Sequence, residues 1–270
     1  MNAFLRIEFA RAFRRKWFVV SLAIGCAIAL YNFFTYVFPI ALQMDEFTLK
    51  VYPGNLFTSW LGSSSSTGSY YFFFILPLLA ALPFSDTLFS DFKSGFVHDL
   101  CTRSKKRSQY FLAKYLATFC SGGFAVFIPL LFSFCLGCLV FPFLNPEPTN
   151  FNSLLGDQST FPYIYYFSPL VYVLIFFVLN FIYGGLYACF GLMSTFYVNY
   201  RFLVLIAPLL FHIFCMTLLP LIGLEAWAPM NFLQPRYSEY TLYPLIAVTL
   251  LLFGLTFWRV VVYGSQKDIY

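Results

Sequence analysis

The sequence predicts an all-α integral membrane protein, six transmembrane helices preceded by an amphipathic interfacial helix at the N-terminus. Three observations carry this. Hydrophobic residues make up 60% of the chain and charged residues only 10%, against about 25% charged in soluble domains, and mean hydropathy is +0.77. Several apolar runs reach the roughly 20 residues a helix needs to cross hydrocarbon while satisfying its own backbone. The basic residues, finally, gather on alternate connections. A soluble enzyme is excluded by the first observation, and a membrane barrel by the lack of short alternating strands.

Residues 1–17 are basic, with Arg6, Arg11, Arg14, Arg15 and Lys16. On a helix, Leu5, Phe9, Phe13 and Trp17 recur every four residues and share a face with Ala12, the pattern of a helix lying in the membrane interface. A secretory signal would also begin basic, but the following apolar run is too long and lacks a small-residue cleavage site. Six spans are predicted at 18–38, 70–89, 111–140, 169–197, 202–222 and 242–262. They form one transmembrane domain over 1–270, with an elbow at 90–110 between spans two and three and a tail at 263–270.

Among the connections, 39–69 is a long loop ending in the serine-rich run at 62–69, predicted flexible and external, and 141–167 is a second loop rich in Pro and Asn. A short VNYR link joins spans four and five. Between spans five and six, Pro229, Pro235 and Pro244 interrupt an aromatic stretch with Trp227, Phe232, Tyr237 and Tyr240, which suits an interfacial or re-entrant segment on the outer face. With the N-terminus inside, 14 of the 16 Lys and Arg residues fall on the cytoplasmic side, leaving Lys50 and Arg236 outside. That split follows the positive-inside rule and places both termini in the cytoplasm. The net charge of +5 is therefore topology, and no nucleic-acid partner is implied.

The stretch 85–114 is the extended polar segment of this greasy chain and lies on the cytoplasmic side. Ser94 and Gly95 predict a break, and the following residues a short helix with Phe96, Val97 and Leu100 on one face. Apolar side chains in a segment that cannot insert suit a docking knob; the competing reading is a solvated loop that only anchors topology.

No catalytic, cofactor-binding or metal-ligating residues are expected. The phosphate-loop pattern GxxxxGK[ST] does not occur, so ATP would have to be hydrolysed by another chain. The pairs Gly122/Gly123 and Gly184/Gly185 lie in apolar helices and suit close helix packing. The seven cysteines fall in apolar spans or the polar elbow, with no disulfide framework and no ligand spacing for zinc. At membrane depth, Asn180 and His212 stand alone; each is expected to bond a neighbouring helix, or to line a substrate path. His98 and Asp99 point in different directions on a helix. The serines at 63–66 lack a nucleophile elbow and a base.

The segment ILPLLAALPFSDTLFSDFKSGFVHDLCTRSKKRSQYFLAKYLA, at 75–117, together with the basic N-terminal helix, six spans and the proline-broken outer segment, resembles the permease subunits of ABC-2 type exporters. The resemblance is one of layout over the whole chain. It implies a second permease copy or homologous permease across a central path, and a separate ABC ATPase dimer that binds ATP and Mg. It also implies a multi-pass location in a bacterial cell membrane, within the lipid bilayer. By position the coupling helix would lie at 94–103, with Phe96, Val97, His98 and Leu100 as ATPase contacts and Asp91, Lys93 and Arg103 flanking them. The long outer loops depart from the family's short turns. The alternative is a stand-alone membrane immunity or sensor protein, or an intramembrane enzyme.

Overall fold

A computed structural model describes residues 2–43, 55–97, 107–146, 161–235 and 242–266. Among these all regular structure is helical. Helix α1 (Asn2–Phe13) leads through Arg14 and Arg15 into α2 (Lys16–Leu42), which loosens into a π-helical stretch at Phe33–Val37. The short α3 (Leu56–Ser59) precedes α4 (Thr67–Ala81), α5 (Thr87–Lys93) and the long α6 (Arg107–Cys138). Then follow α7 (Pro162–Phe167), α8 (Pro169–Ser194), α9 (Arg201–Leu221), α10 (Pro229–Leu233) and α11 (Leu242–Gln266). Five of these, α2, α6, α8, α9 and α11, are long and apolar enough to cross a membrane.

The expected second span, 70–89, differs. Its apolar helix α4 has only 15 residues. The reason is Pro83, which has no N–H and sterically opposes the carbonyl four residues back. Helix α4 therefore ends at Ala81, and a turn leads to α5. The carbonyl released by Pro83, that of Leu79, is taken up by the buried Ser21 hydroxyl of α2 at 2.7 Å.

Helices α6 and α8 form the centre. Of their apolar windows 44% and 61% are buried, against 28% or less for α2, α9 and α11, which leave apolar flanks for lipid. Both glycine pairs lie at the α6 and α8 crossing, as expected. A Cβ on Gly122 would sit 2.9 Å from the Gly184 carbonyl oxygen, and one on Gly184 would sit 2.9 Å from that of Gly122. Helix α2 packs on α6 and α4, α9 on α4 and α8, and α11 on α8.

Two connections are more buried than their sequence predicts. The sequence places 55–66 within the long loop 39–69, with the serines at 63–66 flexible and external, yet Leu56, Phe57, Trp60 and Leu61 are in the core and Ser63, Ser64 and Ser66 are buried. Trp60 packs edge-on to Phe134 and Phe177. Burial is affordable because hydroxyls satisfy the irregular backbone: Ser59 and Ser63 donate to the Asn55 and Phe57 carbonyls, each at 2.8 Å. The segment after α9 likewise sends Phe232 and Leu233 of α10 into the main core.

Candidate functional site

Charges are costly to bury unless paired, so the ionised side chains inside this apolar chain locate its most organised site. Lys114, on the first turns of α6, is fully buried. Its ammonium donates to Glu8 Oε2 at 2.9 Å and to Asp91 Oδ2 at 2.6 Å, and it lies 4.8 Å from the Phe84 ring centroid. Asp91, on α5, also accepts from the Tyr110 hydroxyl at 2.7 Å and from Arg11 Nη2 at 2.9 Å. Arg11 reaches Glu8 Oε1 at 2.9 Å. Two bases and two acids from α1, α5 and α6 thus close a neutral network.

Beside it, Asp86 at the start of α5 is 1% exposed. It accepts from Arg15, through Nη1 and, at 3.0 Å, Nη2, and from Arg201 Nε at 2.5 Å. Arg201 is the first residue of α9. The two networks therefore tie four helices and the link at Arg15 into one end of the bundle. Burial pushes the Asp91 carboxyl up, but the Arg11 hydrogen bond, the Lys114 ammonium and the Tyr110 hydroxyl outweigh it and hold it below its ordinary 3.8. Burial disfavours the Arg11 guanidinium, yet Asp91 and Glu8 overcome that and raise its pKa.

The expected coupling residues divide. Gly95 adopts φ 73°, a left-handed conformation in which glycine is unstrained, and it makes the break predicted there. Lys93 and Phe96 are exposed, and Phe96 lies 5.9 Å from the Arg11 guanidinium. Val97 is fully buried, packed with Leu88, Tyr110 and Phe111, and Asp91 belongs to the ion-pair network. His98, Leu100 and Arg103 lie outside the described residues.

Of the predicted interfacial face, Leu5, Phe9 and Phe13 are half-buried, and the last two pack with Ala12 against Phe84 and Ala117. Trp17 does not continue that face. Arg15 is extended, with φ −75° and ψ 138°, so the chain breaks before Trp17, which belongs to α2 and is 45% exposed. The break brings Arg15 to Asp86. Sequence periodicity missed Glu8 altogether, although a carboxylate within a run of arginines was a signal for internal pairing.

Asn180 and His212 are both buried and are not brought together. Asn180 donates to the Phe176 and Leu233 carbonyls at 2.8 and 3.2 Å, which anchors α10 on α8. His212 Nδ1 and the Tyr187 hydroxyl are 2.8 Å apart, joining α9 to α8. At the far end of α4 from the charges, a cavity of about 270 Å³ is lined by Ser64, Ser65, Ser66, Thr67, Ser69, Tyr70, Met230 and Gln234. Among the described residues no group of three or more His, Cys, Asp or Glu could hold a metal ion.

Among the described residues, five apolar helices of membrane-spanning length, with a buried charge network at one end of the bundle, define a multi-pass helical membrane protein. Comparison takes the matter no further: no protein-family model, curated protein or solved structure matches the chain.

Proposed function

We propose that this chain is the permease subunit of an ABC-2 type exporter in a bacterial cell membrane. It would pair with a second permease around the transport path and be driven through its elbow by a separate ATPase that holds ATP and Mg. On this reading α4 counts as the sixth crossing, and the end bearing α1 and α5 faces the cytoplasm with both termini. One observation carries the proposal: the elbow is bonded through Asp91 to α6 by a buried ion pair with Lys114 and to α1 by a partly exposed one with Arg11, beside an exposed Phe96. Breaking a buried pair costs about 3–5 kcal/mol, so displacement of the elbow moves α1, α5 and α6 as a unit. The ATPase shifts the permease between states only by contacting them unequally, and Phe96 is the described apolar side chain available for that contact.

The test is affinity purification from the native host. The wild-type chain is expected to bring down an ATPase in equal amount. Phe96→Asp, a change at a site 44% exposed, is expected to abolish association without lowering the thermal midpoint. A chain that purifies alone with a ligand-binding or hydrolytic activity of its own overturns the proposal in favour of an immunity, sensor or enzyme role.

A further inference from the structure

Two neighbouring cavities flank the Asp86 ion pairs. The first, about 240 Å³, is lined by Arg11, Arg14, Arg15, Phe84, Thr87 and Ser90. The second, about 270 Å³, is lined by Trp17, Leu82, Phe202 and Leu205 with Asp86 and Arg201. Arg15 in the wall of the first cavity and Arg201 in the wall of the second bond the same carboxylate.

The charges around the first cavity do not cancel. Taking the cavity's arginines together with the ion pairs they join, Arg11, Arg14, Arg15, Lys114 and Arg201 give five positive charges and Glu8, Asp86 and Asp91 three negative, so 5 − 3 = +2 remains over these eight residues. The acids are consumed by Arg11, Arg15, Lys114 and Arg201, whereas no acid among the described residues pairs with Arg14. A guanidinium presents five N–H donors in a planar fork that matches phosphate oxygens. Arg11 and Arg15 already bond Glu8, Asp91 and Asp86, and Arg14 bonds none of these acids, so the lining holds three guanidinium groups with an excess of positive charge that suits an anion. The adjoining cleft has the opposite character: Trp17, Leu82, Phe202 and Leu205 offer apolar surface, and Trp17 and Phe202 are 45% and 69% exposed.

We propose that this pair of cavities binds one anionic phospholipid, its phosphate among Arg11, Arg14 and Arg15 and an acyl chain in the cleft between Trp17 and Phe202. A basic pocket between membrane helices is the setting in which acidic headgroups bind. The bound lipid bridges α1, α2, α5 and α9. The proposal goes beyond the exporter reading and stands whether or not an ATPase is present.

The full chain is reconstituted in nanodiscs of phosphatidylcholine alone or mixed with phosphatidylglycerol. Lipid carried through detergent extraction is counted by intact-protein mass spectrometry, and the thermal midpoint is recorded. Wild type is expected to retain one phosphatidylglycerol and to be stabilised by the mixed bilayer. Arg14→Gln removes one charge-assisted contact and is expected to lower retention about tenfold. Since Arg14 is exposed and outside the ion pairs, that variant is expected to fold. Arg6→Gln, a change at an exposed arginine of α1 outside both cavities, is expected to retain lipid like wild type. Equal losses in the two variants would mean diffuse attraction to an anionic surface and would overturn the proposal. So would equal retention of phosphatidylcholine, or inorganic phosphate alone reproducing the full stabilisation in phosphatidylcholine discs.

Discussion

Lys114 shows how far a single charge can be misjudged from its position in the chain. Standing at the mouth of a predicted span, it reads as one more cytoplasmic lysine, yet its side chain is fully buried and its partner Glu8 lies 106 residues away. No local spacing rule connects them, because the pairing exists only once α1 folds across α6. Asp91 supplies the measurable consequence. Its native pKa is depressed below the unfolded 3.8, so it contributes stability in full above that value and loses it as pH falls through the lower native pKa. Thermal midpoints in detergent are therefore expected to hold steady from neutral pH down to the unfolded value and then to fall. Asp91→Asn should lower the neutral plateau and flatten this acid limb. An unchanged acid limb in the variant would remove Asp91 from the network's energetics.

At the scale of elements, hydropathy was a good guide to helices buried on all sides or facing lipid, and a poor one to breaks. The expected spans 169–197, 202–222 and 242–262 each contain or overlap a helix of spanning length, because about twenty apolar residues favour a helix that satisfies its own backbone, even across Pro208 of α9. The apolar helix within span 70–89 stops at Ala81, short of its expected end, because the effect of Pro83 on backbone hydrogen bonding does not register in an apolarity average. The serine-rich connection failed for a related reason: its hydroxyls serve backbone atoms that the sequence alone cannot identify as unsatisfied. The glycine pairs were legible because close crossing is the main reason to place glycine in an apolar helix. Gly122→Val is accordingly expected to force α6 and α8 apart and to abolish recovery of monodisperse protein. Gly254→Ala, where the added carbon meets nothing within 4 Å beyond its own helix backbone and chain neighbours, should leave yield and thermal midpoint unchanged. Comparable losses from both would rule out the crossing as the cause.

For the molecule as a whole, the membrane class was evident from composition, and the organised end of the bundle was foreshadowed by the polar stretch at 85–114. The division of labour within that stretch was not, since burial of Asp91 and Val97 depends on where α1 and α6 lie. Helix α4 carries a last consequence. At 1.5 Å per residue its 15 residues span about 22 Å, some 8 Å less than a typical hydrocarbon core of about 30 Å. Its exposed residues, Thr67, Tyr70 and Tyr71, lie in its first turns beside the hydroxyl-lined cavity, with the charge network at its other end. Hydrophobic mismatch of this kind is relieved by thinning of the surrounding bilayer, at a fraction of a kcal/mol per ångström. In nanodiscs of graded acyl length, the thermal midpoint is expected to peak in the thinner bilayers and decline as the chains lengthen; a peak in the thickest would contradict it. On the proposed exporter reading, in which α4 is the sixth crossing, the short helix would make the protein a deformation in its own membrane, drawing the two water layers toward each other beside it.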